Sequence, residues 1–382
     1  MTQTSAPPVS RIGEIDAIRG FALGGILLAN IGFFADPVQL SWPEASTIYT
    51  GPVRSVVDAL VLSKFYVIFS FLFGYSFTLQ MRSAGGAGAS VGARTLRRCL
   101  GLFLIGALHG LLLWSGDILT LYAALGLVLL AMRRVRPRTA ITVSGVILMM
   151  TAALLALLSW LSTLVPAGAI PAPAAGDPAR LLAEINAGPL DYLSAHVPQY
   201  LLTVPVIWLV QGPVAMAMFL LGLAAGRTRL FEERDRWAHL MPRVQWLGFG
   251  VGAPFAVLTG ASHDLGQSAE LLVHAGNAVA SPLLAAAYVV TLLRLAGRFP
   301  ALPAVLAPAG RLAASNYVGQ SVLACLVFTG YGLGLAGRIP PLGTVAVALL
   351  IYAVLLALSA WWLRSHRYGP VEYGLRRLTL WR

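Results

Sequence analysis

The chain has 382 residues, of which 58% are hydrophobic and only 11% charged, with a mean hydropathy of +0.77. Soluble domains average about 25% charged residues, so this composition excludes a soluble protein and points to an integral membrane protein. The formal charge of +12 does not signal nucleic acid, because the arginines cluster in short loops beside apolar runs, as retention of positive charge on the cytoplasmic side produces.

Two cysteines, Cys99 and Cys325, lie in apolar runs without partner spacing, so neither a disulfide framework nor a cysteine metal site is expected. Residues 1–10, MTQTSAPPVS, lack a basic n-region, and no small-x-small cleavage site follows. Residues 11–34, RIGEIDAIRGFALGGILLANIGFF, are therefore predicted to stay as a first span. Within it Asp16 and Arg19 are three apart and share a helix face. Asn30 lies eleven residues beyond Arg19, roughly 16 Å along the axis. At mid-membrane such groups cost about 2.5–3.5 kcal/mol each on insertion scales, so they should face protein or a cavity rather than lipid.

Residues 36–63 are mixed polar and aromatic, with Pro37, Pro43 and Pro52, and a second span follows at 64–82, opened by Lys64, the chain's only lysine. After a Gly/Ala-rich loop carrying Arg82, Arg94, Arg97 and Arg98, the third span (97–114) and the fourth (117–132) are joined by the tight turn WSGD. A basic loop at 133–138 leads to a fifth span ending near 164, and a Pro/Ala/Gly-rich segment, 165–202, is predicted as an external loop. Spans six to ten fall at 203–225, 244–261, 272–294, 313–334 and 341–363, each near the roughly 20 apolar residues that a bilayer core requires. The expected fold is all-α: one polytopic transmembrane bundle of about ten helices over 1–382, with N-terminal helices at 11–164 and C-terminal helices at 203–382. Arg11, the loops at 82–98, 133–138 and 227–243, Arg294 to Arg311 and the tail from Arg364 fall on one side, so both termini are predicted to be cytoplasmic.

Three stretches carry a family resemblance: residues 11–34, RRCLGLFLIGALHGLLLWSGDILTLYAALG at 97–126, and residues 310–382 with GRLAASNYVGQS, GYGLGL and SAWWLRSHRYGPVEYGLRRLTLWR. They resemble the YeiB-type family of bacterial membrane proteins, itself distantly similar to transmembrane acyltransferases; the middle, roughly 135–300, carries no recognised motif. The resemblance implies a multi-pass protein of the bacterial inner membrane. It would pass an acyl group from a cytoplasmic acyl thioester such as acyl-CoA to a hydroxyl or amine acceptor reached from the outer half.

Many members of that wider class keep a histidine ten intervening residues after the arginine, where this chain has Asn30. The related lysosomal N-acetyltransferases of heparan sulfate also have asparagine there and take their histidine from elsewhere. A carboxamide cannot act as a base near neutral pH, whereas imidazole can. His109 is the expected base, with Asp117 eight residues on as its orienter and Asn30 or Arg19 stabilising the oxyanion. Two plainer readings stay open: His109 as a helix-packing histidine, and Asp117 as the N-cap of the fourth span.

On the inner side Asp16, Arg19, Arg97, Arg98, Arg311, Asn316, Gln320 and His366 are expected to gather, with arginine forks binding the donor's phosphates; topology signal plus an Asp16–Arg19 ion pair is the competing reading. Trp114, His274 and Asn277 are the expected acceptor-cavity residues. His263, Asp264, Glu270 and His274 lack HExxH or facing-carboxylate spacing, so no metal is expected. No bound cofactor is expected; the partners are membrane lipids, the acyl donor and a small-molecule, lipid or glycan acceptor, with room for an oligomer. GPVEYGLRRLT, carrying Glu372, reads as a juxtamembrane amphipathic segment. The rival function is a carrier of a small molecule or lipid, whose path the same polar groups would line.

Overall fold

A computed structural model of the chain describes residues 13–41, 46, 48–164, 177–262 and 265–380. In order, the helices are α1 (Gly13–Ala35), α2 (Gly51–Leu60), α3 (Phe65–Gly86), α4 (Val91–Leu112), α5 (Leu119–Ala131), α6 (Pro137–Leu164), α7 (Pro178–Ile185) and α8 (Pro189–Arg227). They continue with α9 (Arg234–Trp237), α10 (Met241–Leu247), α11 (Ala253–Ala261), α12 (Gln267–Arg298), α13 (Ala301–Arg311), α14 (Ala313–Phe328), α15 (Pro341–Trp362) and α16 (Pro370–Leu380). No strand occurs among the described residues.

Among the described residues, eight helical stretches are long and apolar enough to cross a membrane: α1, α2–α3, α4, α6, α8, α9–α11, α12 and α15. Two shorter apolar helices, α5 and α14, accompany them. The outer faces support the membrane assignment, since Met149, Met150, Leu154 and Trp160 of α6, Leu202 and Leu209 of α8 and Leu350 of α15 are all exposed. Water would penalise such a belt, whereas lipid accommodates it.

α1 is the central helix: 15 of its 23 residues are buried. Two buried apolar clusters meet along it, one containing Ile18, Leu72, Tyr75 and Phe219, the other Leu27, Ile31, Trp114, Tyr192 and Phe328. α13 and α15 pack on α1, and α3 packs on α8. The α1–α13 approach depends on glycine, because a Cβ on Gly20 would overlap the Leu306 carbonyl and one on Gly310 the Asp16 carbonyl.

Helices also occur between the expected spans. Residues 36–63 contain α2, and the stretch between Arg294 and Arg311 contains α13. Of the segment expected as an external loop, 165–202, residues 165–176 lie outside the described residues, 178–185 form α7, and 189–202 are the start of α8. Locally, Pro189 sits in the first turn, and the Asp191 carboxylate accepts from Gly188 N at 3.2 Å, a favourable helix start. Pro198, Pro205 and Pro213 lie inside α8, which neighbouring helices permit in a membrane bundle. The ninth span also ends early, at Phe328 instead of 334.

Candidate functional site

His109 stands in the last turn of α4, where its carbonyl closes the helix by accepting from Leu113 N and Trp114 N at 2.9 and 3.0 Å. The WSGD turn then folds Asp117 back beneath it. One carboxylate oxygen of Asp117 accepts from Thr120 N and the Thr120 hydroxyl, both at 2.9 Å, and the other lies 2.9 Å from His109 Nδ1. Asp117 therefore satisfies the start of α5 and holds the imidazole at once. Gly106 makes room for this: a Cβ there would come within 2.8 Å of the Asp117 carboxylate.

Across the interface with α14, Ser321 Oγ lies 2.8 Å from His109 Nε2. A carboxylate only accepts, so Nδ1 carries a proton, and in the neutral ring the Nε2 lone pair receives the Ser321 O–H. His109, Asp117 and Ser321 are 2%, 0% and 5% exposed; at that depth each polar atom needs its partner, since an unpaired one costs several kcal/mol in an apolar environment, on the order of 2–7. Tyr317, one turn before Ser321, packs its ring on His109 at 4.9 Å between centroids and accepts from Ile118 N at 3.3 Å.

A second histidine closes the other flank. His196 of α8 donates from Nε2 to the Gly110 carbonyl at 2.8 Å, which leaves Nδ1 to accept from Ser115 Oγ at 3.3 Å. It stacks on Tyr192, whose hydroxyl donates to the Leu113 carbonyl at 3.0 Å. Trp114 is buried and stacked on Phe34 at 4.5 Å, and its Nε1 has no partner among the described residues. Ser321 closes the GRLAASNYVGQS motif and His196 lies in DYLSAHVPQY, but neither local pattern announces the partner it meets in space.

On the arginine-rich side, a cavity of about 640 Å³ opens among α1, α3, α4, α5, α13, α14 and α16. Arg19, Arg94, Arg98, Arg311, Arg367 and Arg376 line it, with Asp16 and Glu372 as its carboxylates. Asp16 accepts from Arg19 at 2.8 Å, and the same guanidinium donates to Ser76. Arg98 stacks over Phe73 at 5.1 Å. Glu372 accepts from Ala314 N, Ser315 N and Ser315 Oγ at 2.7, 3.1 and 2.6 Å. Six cations against two already engaged carboxylates make the cavity attractive to anions. Phe69, Leu72 and Leu102 continue the wall to a floor of Ile118, Leu119, Tyr122 and Tyr317. Tyr317 is thus shared: one side lines the cavity, and the ring packs on His109.

Other expected site residues stand apart. Arg97 is exposed and Asn316 is buried, and neither lines the cavity; Asn316 donates to the Ala309 carbonyl and Ser359 Oγ at 3.0 and 2.8 Å, joining α13, α14 and α15. Gln320 donates to the Leu23 carbonyl at 2.9 Å, and His366 stacks on Trp362. Asn30 is half-buried, and no hydrogen bond joins it to His109, Asp117 or Ser321. His274 donates to the Glu270 carbonyl and Asn277 accepts from Ser281, both within α12, which packs on α6, α10 and α11 away from the hairpin. His263 and Asp264 lie outside the described residues. Among the described residues, no group of three or more His, Cys, Asp or Glu side chains gathers as metal ligands do.

Residues 225–382 match the family model described as "Protein of unknown function (DUF418)". The uncharacterized protein YxaH of Bacillus subtilis is 29% identical, covering 97% of this chain and 94% of its own length. An uncharacterized 39.9 kDa protein of Bacillus acidopullulyticus is 28% identical over 97% and 94%, and the uncharacterized protein YeiB of Escherichia coli is 26% identical over 96% and 95%. The C-terminal match and relatives aligned almost end to end support a place for the chain among the YeiB-type proteins of unknown function.

Proposed function

We propose that this protein is a membrane-bound acyltransferase of the bacterial inner membrane, with ten spans and both termini cytoplasmic. The observation that carries this reading is the arginine-lined cavity whose floor, Tyr317, packs on the hydrogen-bonded His109–Asp117 pair. Planar guanidinium groups match phosphate geometry, so the cavity suits the phosphate-bearing end of an acyl-CoA, and its apolar wall suits the arm that carries the thioester inward. His109 Nε2 then takes the proton from the hydroxyl or amine that attacks the thioester carbonyl. Asp117 holds the ring in the required tautomer and stabilises the imidazolium. The proton leaves on the departing thiolate, giving the free thiol. Tyr317 accepts from Ile118 N and keeps its own O–H for the developing oxyanion.

The test is thiol release from acyl-CoA by the purified protein in lipid nanodiscs with membrane-lipid and glycan acceptors. His109→Gln keeps size and hydrogen bonding but removes the titratable nitrogen, so turnover should fall about 10²-fold or more while melting temperature and CoA binding stay near wild type. Equal turnover in His109→Gln would place the base elsewhere. No thiol release by the wild type, together with solute uptake into proteoliposomes, would favour the carrier instead.

A further inference from the structure

We infer that Ser321 is an acyl-carrying nucleophile, so that transfer runs in two half-reactions through an acyl-serine ester. This rests on the acyltransferase reading and adds a covalent step to it. The hydroxyl of Ser321 has an unusual partner for a helical position. Thr151 and Thr203 donate to the carbonyls of Ile147 and Gln199, four residues back, the ordinary local solution for such a side chain, and Ser70 and Ser144 reach across helices to the Tyr122 hydroxyl and the Ala217 carbonyl; none of these meets an imidazole. Ser321 instead meets His109 Nε2 at 2.8 Å, while Asp117 takes His109 Nδ1 at 2.9 Å. A serine hydroxyl on the lone pair of an imidazole held by a buried carboxylate is the arrangement that activates a nucleophile.

The surroundings give this serine two sides. Tyr317, four residues earlier on the same helix face, belongs to the floor of the arginine cavity. Beyond His109, the next residue of α4, Gly110, accepts from His196, and the buried Trp114 follows with its unpartnered indole N–H. In the first half-reaction Ser321 Oγ attacks the thioester carbonyl as His109 Nε2 accepts its proton. The C–S bond breaks, and the thiolate takes that proton and leaves as free thiol. In the second, an acceptor hydroxyl or amine attacks the ester, His109 accepts its proton, and Ser321 Oγ leaves with that proton restored. Donor and acceptor then need never occupy the site together, so one can come from each side. Tyr317 lines the cavity and Ser321 does not, so the thioester must reach past Tyr317 to be attacked; the burial of Ser321 keeps water from the ester.

The wild-type protein in nanodiscs is incubated without acceptor with a series of acyl-CoAs, acetyl to palmitoyl, radiolabelled in the acyl group. The inference expects thiol release and label that remains on protein after acid quench, mapped to the peptide containing Ser321. Labelled CoA should also exchange into acyl-CoA without acceptor. Ser321→Ala should abolish label and exchange, whereas Ser321→Cys should retain label as a thioester that neutral hydroxylamine removes, unlike the serine ester. Should Ser321→Ala fail to fold, the change of bond type in Ser321→Cys decides alone. Transfer to acceptor at the wild-type rate in Ser321→Ala, with no label on the wild type, would overturn the inference and leave direct transfer standing. No thiol release from any member of the series, with acceptors present, would overturn the acyltransferase reading and this inference with it.

Discussion

Arg97 and Arg98 are neighbours in sequence with opposite placements, and they separate the charge of the cavity from its geometry. Arg98 lines the cavity and stacks on Phe73, while Arg97 is exposed. Lysine keeps the charge but loses the planar fork and the stack. Arg98→Lys should therefore weaken CoA binding by roughly tenfold, about 1.4 kcal/mol, and Arg97→Lys by about twofold at most, as screening of an exposed charge allows. Calorimetric titration in nanodiscs measures both, and no loss in either variant would mean that the ligand is drawn only by net charge. Arg19 is already held by Asp16 and Ser76, so a substitution there perturbs the α1–α3 contact as well as the cavity and is a poorer probe of binding.

The C-terminal helix α16 belongs to the cavity because of one carboxylate. The first N–H groups of a helix have no intrahelical partner, and those of Ala314 and Ser315 in α14 are satisfied by Glu372. Ser315 Oγ returns the contact by accepting from Val371 N at 3.1 Å. The negative charge also suits the positive end of the helix dipole. Loss of such a cap costs about 0.5–2 kcal/mol. Glu372→Ala should lower stability by about that amount, speed hydrogen exchange at the start of α14 and throughout α16, and weaken CoA binding by releasing Arg367 and Arg376. Hydrogen exchange read by mass spectrometry checks this; unchanged protection in α16 would assign its docking to Leu375 and Leu378 against α4, where a Cβ on Gly101 would meet both side chains.

Among the described residues, the eight long apolar stretches and the two short apolar helices divide the length unevenly. α5 and α14 have 13 and 16 residues, roughly 20 and 24 Å, less than the roughly 30 Å of a bilayer core. α8 has 39, roughly 58 Å. The long helix brings His196 to the hairpin, and the two short ones bring Asp117 and Ser321 to His109. Short-loop arginines orient the bundle, so reporter fusions after Arg138 and Leu380 should read cytoplasmic and one after Asn186 external. An external signal at Leu380 would reverse the orientation or change the number of crossings.

Apolar length, basic loops and the four-residue WSGD turn are local signals, and they suffice for an all-helical membrane bundle and for the His109–Asp117 pair, whose members lie eight residues apart across that turn. The long-range partners were not legible. His109 and Ser321 are 212 positions apart, Ser115 and His196 81, and Ser315 and Glu372 57. A helix that is apolar all round shows no stripe to tell which face turns inward, so Ser321 looks like any small residue in a span. Likewise α2 and α7 fall in proline-bearing stretches and α13 in an arginine-flanked one, none of which shows a span-length apolar run. Only packing assigns the partners, because removing a hydroxyl, an imidazole and a carboxylate from water obliges each to find another within hydrogen-bond reach.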